Sequence, residues 1–120
     1  MRKMFQLAVI LQAFVIFGHA PLAKEKPLLE SIEWSDTWVE NADRQDLPRV
    51  LLAGDSIVQG YFGVVKERLT GEASCARYST SKYIGDPDYL VELELLLKRY
   101  RFKVIHINNG LHGWEYTEKQ

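Results

Sequence analysis

The sequence from position 48 onward predicts an α/β fold with a parallel sheet. Three short apolar runs, each long enough for one strand, alternate with two stretches in which apolar residues recur every three or four positions. The order β-α-β-α-β is typical of parallel sheets, because the chain returns between parallel strands through a crossover helix. We therefore expect a three-stranded parallel sheet with helices on both faces.

The first strand and the turn after it carry the strongest functional signal. The apolar run Arg49 to Ala53 stops at Gly54, Asp55 and Ser56, where a helical pattern begins. Free backbone N–H groups and the positive end of the helix dipole favour developing negative charge at such a turn. An exposed serine beside an anion-stabilising site suits a nucleophile. The alternative is that Ser56 or Asp55 only caps the helix.

Two amphipathic stripes predict the helices. Gly71 ends the first, whose interior glycines Gly60 and Gly63 each cost about 1 kcal/mol against alanine. That cost indicates a close backbone approach there, either to the sheet or to a bound group. Asp86 and Pro87 predict an N-cap and first helical residue for the second. The two apolar stripes are Val58, Tyr61, Phe62, Val65 and Leu69, and then Tyr89, Leu90, Leu93, Leu96, Leu97 and Tyr100.

The remaining strands predict where a ligand would bind. Ala73 to Tyr78 is the second strand, followed by the polar loop Ser79 to Gly85, and Lys103 to Asn108 is the third. Ligands of parallel sheets bind at the carboxyl ends of the strands. We therefore expect Ser56, this loop and the stretch Asn108 to His112 to lie at one edge.

The histidines do not indicate a metal site. His106 lies within an apolar strand and is predicted to be a hydrogen-bonded core histidine. His112 follows the strand, where it would contact an oxyanion, act as a general base or be structural. The two are six positions apart with no matching carboxylate pair, and Gly54 to Gly60 lacks phosphate-loop spacing. We predict neither a metal nor another cofactor.

Composition predicts one domain and excludes some partners. The 120 residues are 47% apolar and 26% charged, and the net charge of -1 offers no basic face for nucleic acid. The single cysteine, Cys75, allows no intramolecular disulfide and is predicted to be a small buried hydrophobe. The sequence does not determine the oligomeric state.

The amino-terminal third is predicted to lie outside the domain at 48–120. Residues 1–23 have a charged start, a short apolar run and small residues, which predicts a signal peptide and a secreted or periplasmic protein. The run is shorter than a membrane span, although an uncleaved anchor is an alternative. Residues 24–47 are predicted to be a linker and covering segment, in which Trp34 and Trp38 form a short helical turn.

Two motifs resemble the SGNH/GDSL hydrolases. Gly54-Asp55-Ser56 is similar to the first block of that family, and the stretch around Gly110 is similar to its G-x-N-D block, with His112 in place of the asparagine. The resemblance covers Arg49 to Tyr116. It implies a flavodoxin-like three-layer parallel sheet, of which this chain is the front portion.

The resemblance also implies a function. Ser56 is the expected catalytic nucleophile, and Asp55, Gly85, Gly110 and His112 are expected at the oxyanion or substrate site. The implied activity is hydrolysis of acyl esters, acetyl esters above all, on a small molecule or carbohydrate. The family's D-x-x-H block is absent from these residues. The alternative is therefore a catalytically inactive fragment or binding module that retains the pocket.

Overall fold

A computed structural model describes residues 29–110 and 112, which form an α/β fold with a four-stranded mixed sheet and two helices. The predicted signal peptide, 1–23, lies outside the described residues. The elements in chain order are β1 (Ser35–Val39), β2 (Arg49–Gly54), α1 (Ser56–Arg68), β3 (Ser74–Thr80), α2 (Pro87–Arg99) and β4 (Val104–Asn108).

The sheet has the strand order β1-β3-β2-β4. Strands β3 and β4 run parallel to β2 on either side of it, whereas β1 is antiparallel to β3. The expectation of a three-stranded, wholly parallel sheet is therefore wrong by one strand, and the predicted helical turn at Trp34 and Trp38 is wrong. Thr37, Trp38 and Val39 favour strands, and pairing with β3 satisfies backbone groups that an edge would leave open.

The two helices pack on opposite faces of the sheet. Because side chains alternate along a strand, Leu51 and Leu52 of β2 belong to different cores. Helix α2 covers one face and α1 covers the other, so β2 and β3 lie between two helical layers. The buried residues are Leu51, Ala53, Ala76, Tyr78, Tyr89, Leu93 and Leu96 on the α2 side, and Leu52, Val58, Phe62 and Cys75 on the α1 side.

The predicted helix ends are confirmed. Asp86 caps α2 by accepting a hydrogen bond from the Asp88 backbone N–H at 2.8 Å, with Pro87 in the first turn. Gly71 has a φ of 82°, a conformation that suits glycine after the end of α1. The predicted close approach of Gly60 and Gly63 to the sheet is wrong, since a Cβ on either would meet no atom within 4 Å.

Strand β4 is exposed, although its sequence is that of a buried strand. Val104, Ile105 and Ile107 are 51%, 44% and 49% exposed, and no β4 residue belongs to either core of the described part. The prediction that His106 is a core histidine is wrong. It is exposed, and its Nε2 lies 3.0 Å from the Tyr61 hydroxyl of α1.

Two further features of the described residues concern compartment and reactivity. None of the helices within residues 29–110 is long and apolar enough to cross a membrane.

Cys75 is fully buried, as predicted, and burial together with the nearby Glu40 carboxylate raises the pKa of its thiol. The thiol is therefore a packing group rather than a nucleophile.

Candidate functional site

The strand register places the three predicted site segments side by side. Gly54, the last residue of β2, is paired with Ser79 of β3 on one side and with Asn108 of β4 on the other. All three strands run in the same direction, so the segments that follow them leave the sheet at one edge. We call this the carboxyl edge, and it is formed by Ser56, residues 79–85, residues 108–110 and His112.

Gly54 fits this edge because the backbone of β4 passes directly beside it. A Cβ at this position would lie 1.9 Å from the carbonyl oxygen of Asn108 and 2.4 Å from Cγ2 of Val58. No side chain can occupy that space without moving the backbone of β4. The glycine of the Gly54-Asp55-Ser56 turn therefore determines how closely α1 and β4 approach the same strand end.

Asp55 and Ser56 have different roles in the turn. Asp55 is fully buried, and its Oδ1 accepts a hydrogen bond from the Ile57 backbone N–H at 2.9 Å, so it is the N-cap of α1. Ser56 is the first helical residue and is exposed. No hydrogen bond within the described residues uses its hydroxyl. The structural capping role thus belongs to Asp55, which leaves the Ser56 hydroxyl available for chemistry.

His112 is oriented by a carboxylate that the sequence did not indicate. Its Nδ1 forms an ion-pair contact with Oε1 of Glu30, while its Nε2 is buried and has no hydrogen-bond partner among the described residues. A carboxylate beside Nδ1 favours the tautomer that has its proton there. In the neutral ring Nε2 is then an acceptor, which can take a proton but cannot donate one.

The two glycines predicted for the site differ in their surroundings. A Cβ on Gly85 would lie 2.5 Å from the ring of Tyr83, so the absence of a side chain lets that ring fold over the backbone. Gly110 is exposed, and a Cβ there would meet nothing within 4 Å. Between these loops, Nδ2 of Asn109 donates to the Lys82 carbonyl at 3.0 Å and ties the end of β4 to the end of β3.

Four buried polar atoms in this part of the fold have no hydrogen-bond partner among the residues that the structure describes. They are Oγ of Ser79, the hydroxyl of Tyr89, Oδ1 of Asn109 and Nε2 of His112. Burial, with the charge of Asp55, raises the pKa of Tyr89, so its hydroxyl remains a neutral donor. Each such group costs about 1–3 kcal/mol until a partner satisfies it. All four lie in or beside the segments that follow the parallel strands or at the start of α2.

Sequence reasoning missed Glu30 and Tyr89 as members of this site. Tyr89 was assigned to the apolar face of the second helix, which is correct for its ring but says nothing of its hydroxyl. Glu30 is 82 positions from His112 in the chain. Only the folded structure brings the two together, and no local motif marks them.

Two cavities formed by the described residues do not include Ser56. One, of about 410 Å³, lies between β1 and α2, and the other, of about 920 Å³, lies at the opposite edge of the sheet. Within residues 29–110 and 112, no group of three or more histidine, cysteine or acidic side chains is arranged to hold a metal ion.

Sequence comparison adds no relative. No protein-family model matches this chain, and no curated protein is significantly similar to it. The assignment of a function depends on the residues of the site and on their arrangement.

Proposed function

We propose that this chain is an exported serine esterase of the SGNH type, with Ser56 as its nucleophile. The observation that carries the proposal is the position of Ser56, exposed at the first turn of α1 and at the carboxyl end of the central parallel strand. The fully buried Asp55 caps the helix beside it, so the Ser56 hydroxyl is not needed for structure. The proposed substrate is an acyl ester, in particular an acetylated sugar.

The start of α1 supplies the electrostatics for acyl transfer. The first N–H groups of a helix have no intrahelical partners, and the helix dipole is positive there. An ester carbonyl attacked by Oγ of Ser56 develops its negative charge within reach of these groups. One preorganised donor to the oxyanion contributes about 10²–10³-fold in rate. A single backbone N–H at this position would therefore stabilise the oxyanion substantially.

The contact between Glu30 and His112 supports a role for His112 as the general base. His112 Nε2 and the Ser56 hydroxyl are not hydrogen-bonded in the structure, so the proposed step requires the imidazole to approach Ser56. His112 Nε2 then takes the proton from the Ser56 hydroxyl while Oγ bonds to the carbonyl carbon. The same proton then goes to the leaving alcohol, and water hydrolyses the acyl-enzyme by the reverse transfer. Glu30 holds the imidazole by Nδ1 and stabilises its protonated form. The tautomer supports this role over donation to an oxyanion by the neutral ring.

The strand pairings support the finer fold proposal. Among the parallel strands, the order in the sheet is β3-β2-β4, so the first parallel strand in the chain lies between the second and third. This is the arrangement at the start of a flavodoxin-like sheet, in which a further strand pairs beyond the third. Strand β4 occupies that third position here, and it is exposed.

The experiment is hydrolysis of p-nitrophenyl acetate by the full 120-residue chain, with labelling by a fluorophosphonate probe. We expect Ser56→Ala to lower the rate by about 10³-fold or more and to abolish labelling. Thr70→Ala is the matched control, since it removes an exposed hydroxyl just beyond the other end of α1. Activity or labelling that survives Ser56→Ala would overturn the proposal.

A second set of variants tests the base. His112→Ala should lower turnover by orders of magnitude, and Glu30→Gln should lower it less, because it removes orientation and charge but not the proton acceptor. If both variants keep full activity while Ser56→Ala does not, the nucleophile stands and the assigned base is wrong.

A binding module that retains the site is the second candidate. The observation that favours it is that no D-x-x-H block occurs in the 120 residues. In addition, neither of the two cavities described above includes Ser56. Binding of an acetylated sugar without turnover, unchanged in Ser56→Ala, would support this alternative and contradict the esterase.

A further inference from the structure

The cavity at the amino edge of the sheet is positively charged, whereas the whole chain is close to neutral. It lies where β2 and β4 begin and where α2 ends, and its volume is about 920 Å³. Five basic side chains line it against one carboxylate, although the net charge of the chain is only -1. The lining charges are Arg49, Lys98, Arg99, Arg101 and Lys103, with Asp43 as the acid.

Most of these cations have no carboxylate partner. Lys98 forms an exposed ion pair with Glu94 at 2.7 Å, but no ion pair within the described residues involves Arg49, Arg99, Arg101 or Lys103. Like charges gathered around one cavity repel one another unless an anion neutralises them. The cavity therefore has an excess of positive charge that an anion would neutralise.

Arg49 is an unusual cation because it is buried, with only 8% of its surface exposed. Its Nη2 donates to the carbonyls of Asn41 and Arg44 at 2.9 and 3.1 Å, while its Nε is buried and has no hydrogen-bond partner within residues 29–110 and 112. Burying a cation without a counter-charge is costly. Two neutral carbonyls satisfy donors of the guanidinium but leave its charge uncompensated.

Two guanidinium groups lie close to the ring of Tyr100. The Cζ atoms of Arg49 and Arg99 lie 5.4 and 5.8 Å from the centroid of this ring. Lys103 is fixed nearby, since its backbone N–H donates to the Arg49 carbonyl at 2.8 Å. Guanidinium groups match the oxygens of phosphate and carboxylate in two-point contacts.

We propose that this cavity binds a small organic molecule with a doubly charged oxyanion group, such as a phosphate. Its volume is at the upper end of the range of about 300–1,000 Å³ that is usual for ligand sites, which leaves room for an organic part. The rings of Tyr100 and Phe102, with centroids 6.4 Å apart, offer that part an aromatic surface. The site is at the opposite edge from Ser56 and is independent of the esterase proposal.

Isothermal titration calorimetry of the full chain with tripolyphosphate at low ionic strength tests the site. Arg101→Gln and Arg99→Gln remove exposed cations of the cavity, so they should leave the fold intact where a change at the buried Arg49 would not. We expect each to weaken binding about tenfold, and the double variant more. Arg68→Gln, which removes an exposed arginine in the last turn of α1, is the control and should change little.

The other outcomes are also decisive. Tighter binding of tripolyphosphate than of citrate identifies a phosphate ligand, and the reverse order identifies a polycarboxylate. No measurable heat with either anion at millimolar concentration overturns the proposal. Equal weakening by Arg68→Gln and Arg101→Gln also overturns it, because the attraction would then be diffuse. Preferential binding of a single-stranded oligonucleotide, lost in the same variants, would replace the small molecule by nucleic acid.

Discussion

Strands β2 and β4 are neighbours in the same sheet and have similar apolar sequences, yet one is buried and the other is exposed. Leu51 of β2 and Ile105 of β4 are paired across the parallel ladder and point to the same face. Leu51 is fully buried, whereas Ile105 is 44% exposed. The difference lies in what surrounds each strand, since β2 has a strand on either side and a helix over each face.

This comparison shows what burial in the sheet depends on. The helices α1 and α2 cover β2 and β3, and no β4 side chain joins either core of the described residues. An edge position removes one strand neighbour, and the lack of a helix over it removes the packing. Side-chain hydrophobicity alone did not decide which of the two strands became the core.

Truncating the paired residues is expected to give the largest contrast. Leu51→Ala should lower the free energy of unfolding by about 2–5 kcal/mol, because it leaves a cavity between β2 and α2. Ile105→Ala should cost less than about 1 kcal/mol, because its side chain is already in contact with solvent. Urea denaturation of both variants measures the difference. Equal losses would mean that β4 is covered in solution, for example by self-association, which sedimentation would detect.

Adding a methyl group where β2 and β4 touch is expected to give the next largest effect. Gly54→Ala places a Cβ against the Asn108 carbonyl and should cost about 3 kcal/mol, at or above the usual limit for overpacking, since backbone must move. Gly60→Ala is the control within α1, where a Cβ meets nothing, and should stabilise by about 0.5–1 kcal/mol. The midpoints of urea unfolding report both changes. A neutral Gly54→Ala would show that β4 is not firmly seated on β2.

Two tyrosine hydroxyls sharpen the contrast between the covered and uncovered strands. Tyr78 of β3 donates to the Glu92 carboxylate at 2.9 Å in the buried region under α2, and burial together with this carboxylate raises the pKa of Tyr78. Tyr78→Phe should cost about 1–2 kcal/mol. Tyr61→Phe, which removes the exposed contact with His106 of β4, should cost less than about 0.5 kcal/mol. A larger loss at Tyr61 than at Tyr78 would contradict the assignment of the core.

The smallest expected effect is a dependence on pH from Glu92. Burial raises the pKa of this carboxyl, but hydrogen bonds from Ser35, Lys82 and Tyr78 outweigh burial and lower it below the ordinary value of 4.5. The folded state therefore favours the ionised form, and its contribution is present above pH 4.5 and lost as the pH falls through the lower folded value. Glu92→Gln should be less stable than the unmodified chain at pH 7.

The measurement is chemical denaturation of both proteins between pH 7 and pH 3. We expect the difference in the free energy of unfolding to stay level down to about pH 5 and then to shrink towards pH 3. A difference that grows as the pH falls would have the wrong sign for a carboxyl group with a lowered pKa. Glu94→Gln, which breaks an exposed pair with Lys98, should show only a small change throughout.

Much of the fold could be predicted because its signals are local. The stripe that begins at Val58, the cap at Asp86 and the left-handed Gly71 each depend on residues within one or two turns. Strand β1 was missed because its five residues, none of them buried, have little periodic signal beside two tryptophans at helical spacing. Its pairing partner, β3, lies about 40 positions away in the chain, and pairing of that range leaves no mark on a short sequence window.

Part of the candidate site could also be predicted from local sequence, and part could not. The turn at Gly54-Asp55-Ser56 was visible because strand, turn and helix start follow directly in the chain. Glu30 beside His112, the unpartnered hydroxyl of Tyr89 and the basic cavity around Arg49 were not, since each depends on distant segments meeting. Net charge in particular concealed the cavity, because acids elsewhere in the chain cancel its five cations.

The sequence by itself determined the helices, their ends and the presentation of a serine after a glycine turn, because hydrophobic period, capping and backbone freedom act over a few residues. The tertiary structure alone decided which apolar strand became the core, which carboxylate meets His112 and where positive charge collects. Those outcomes depend on distances through space between residues far apart in the chain. The composition of any one segment does not contain that information.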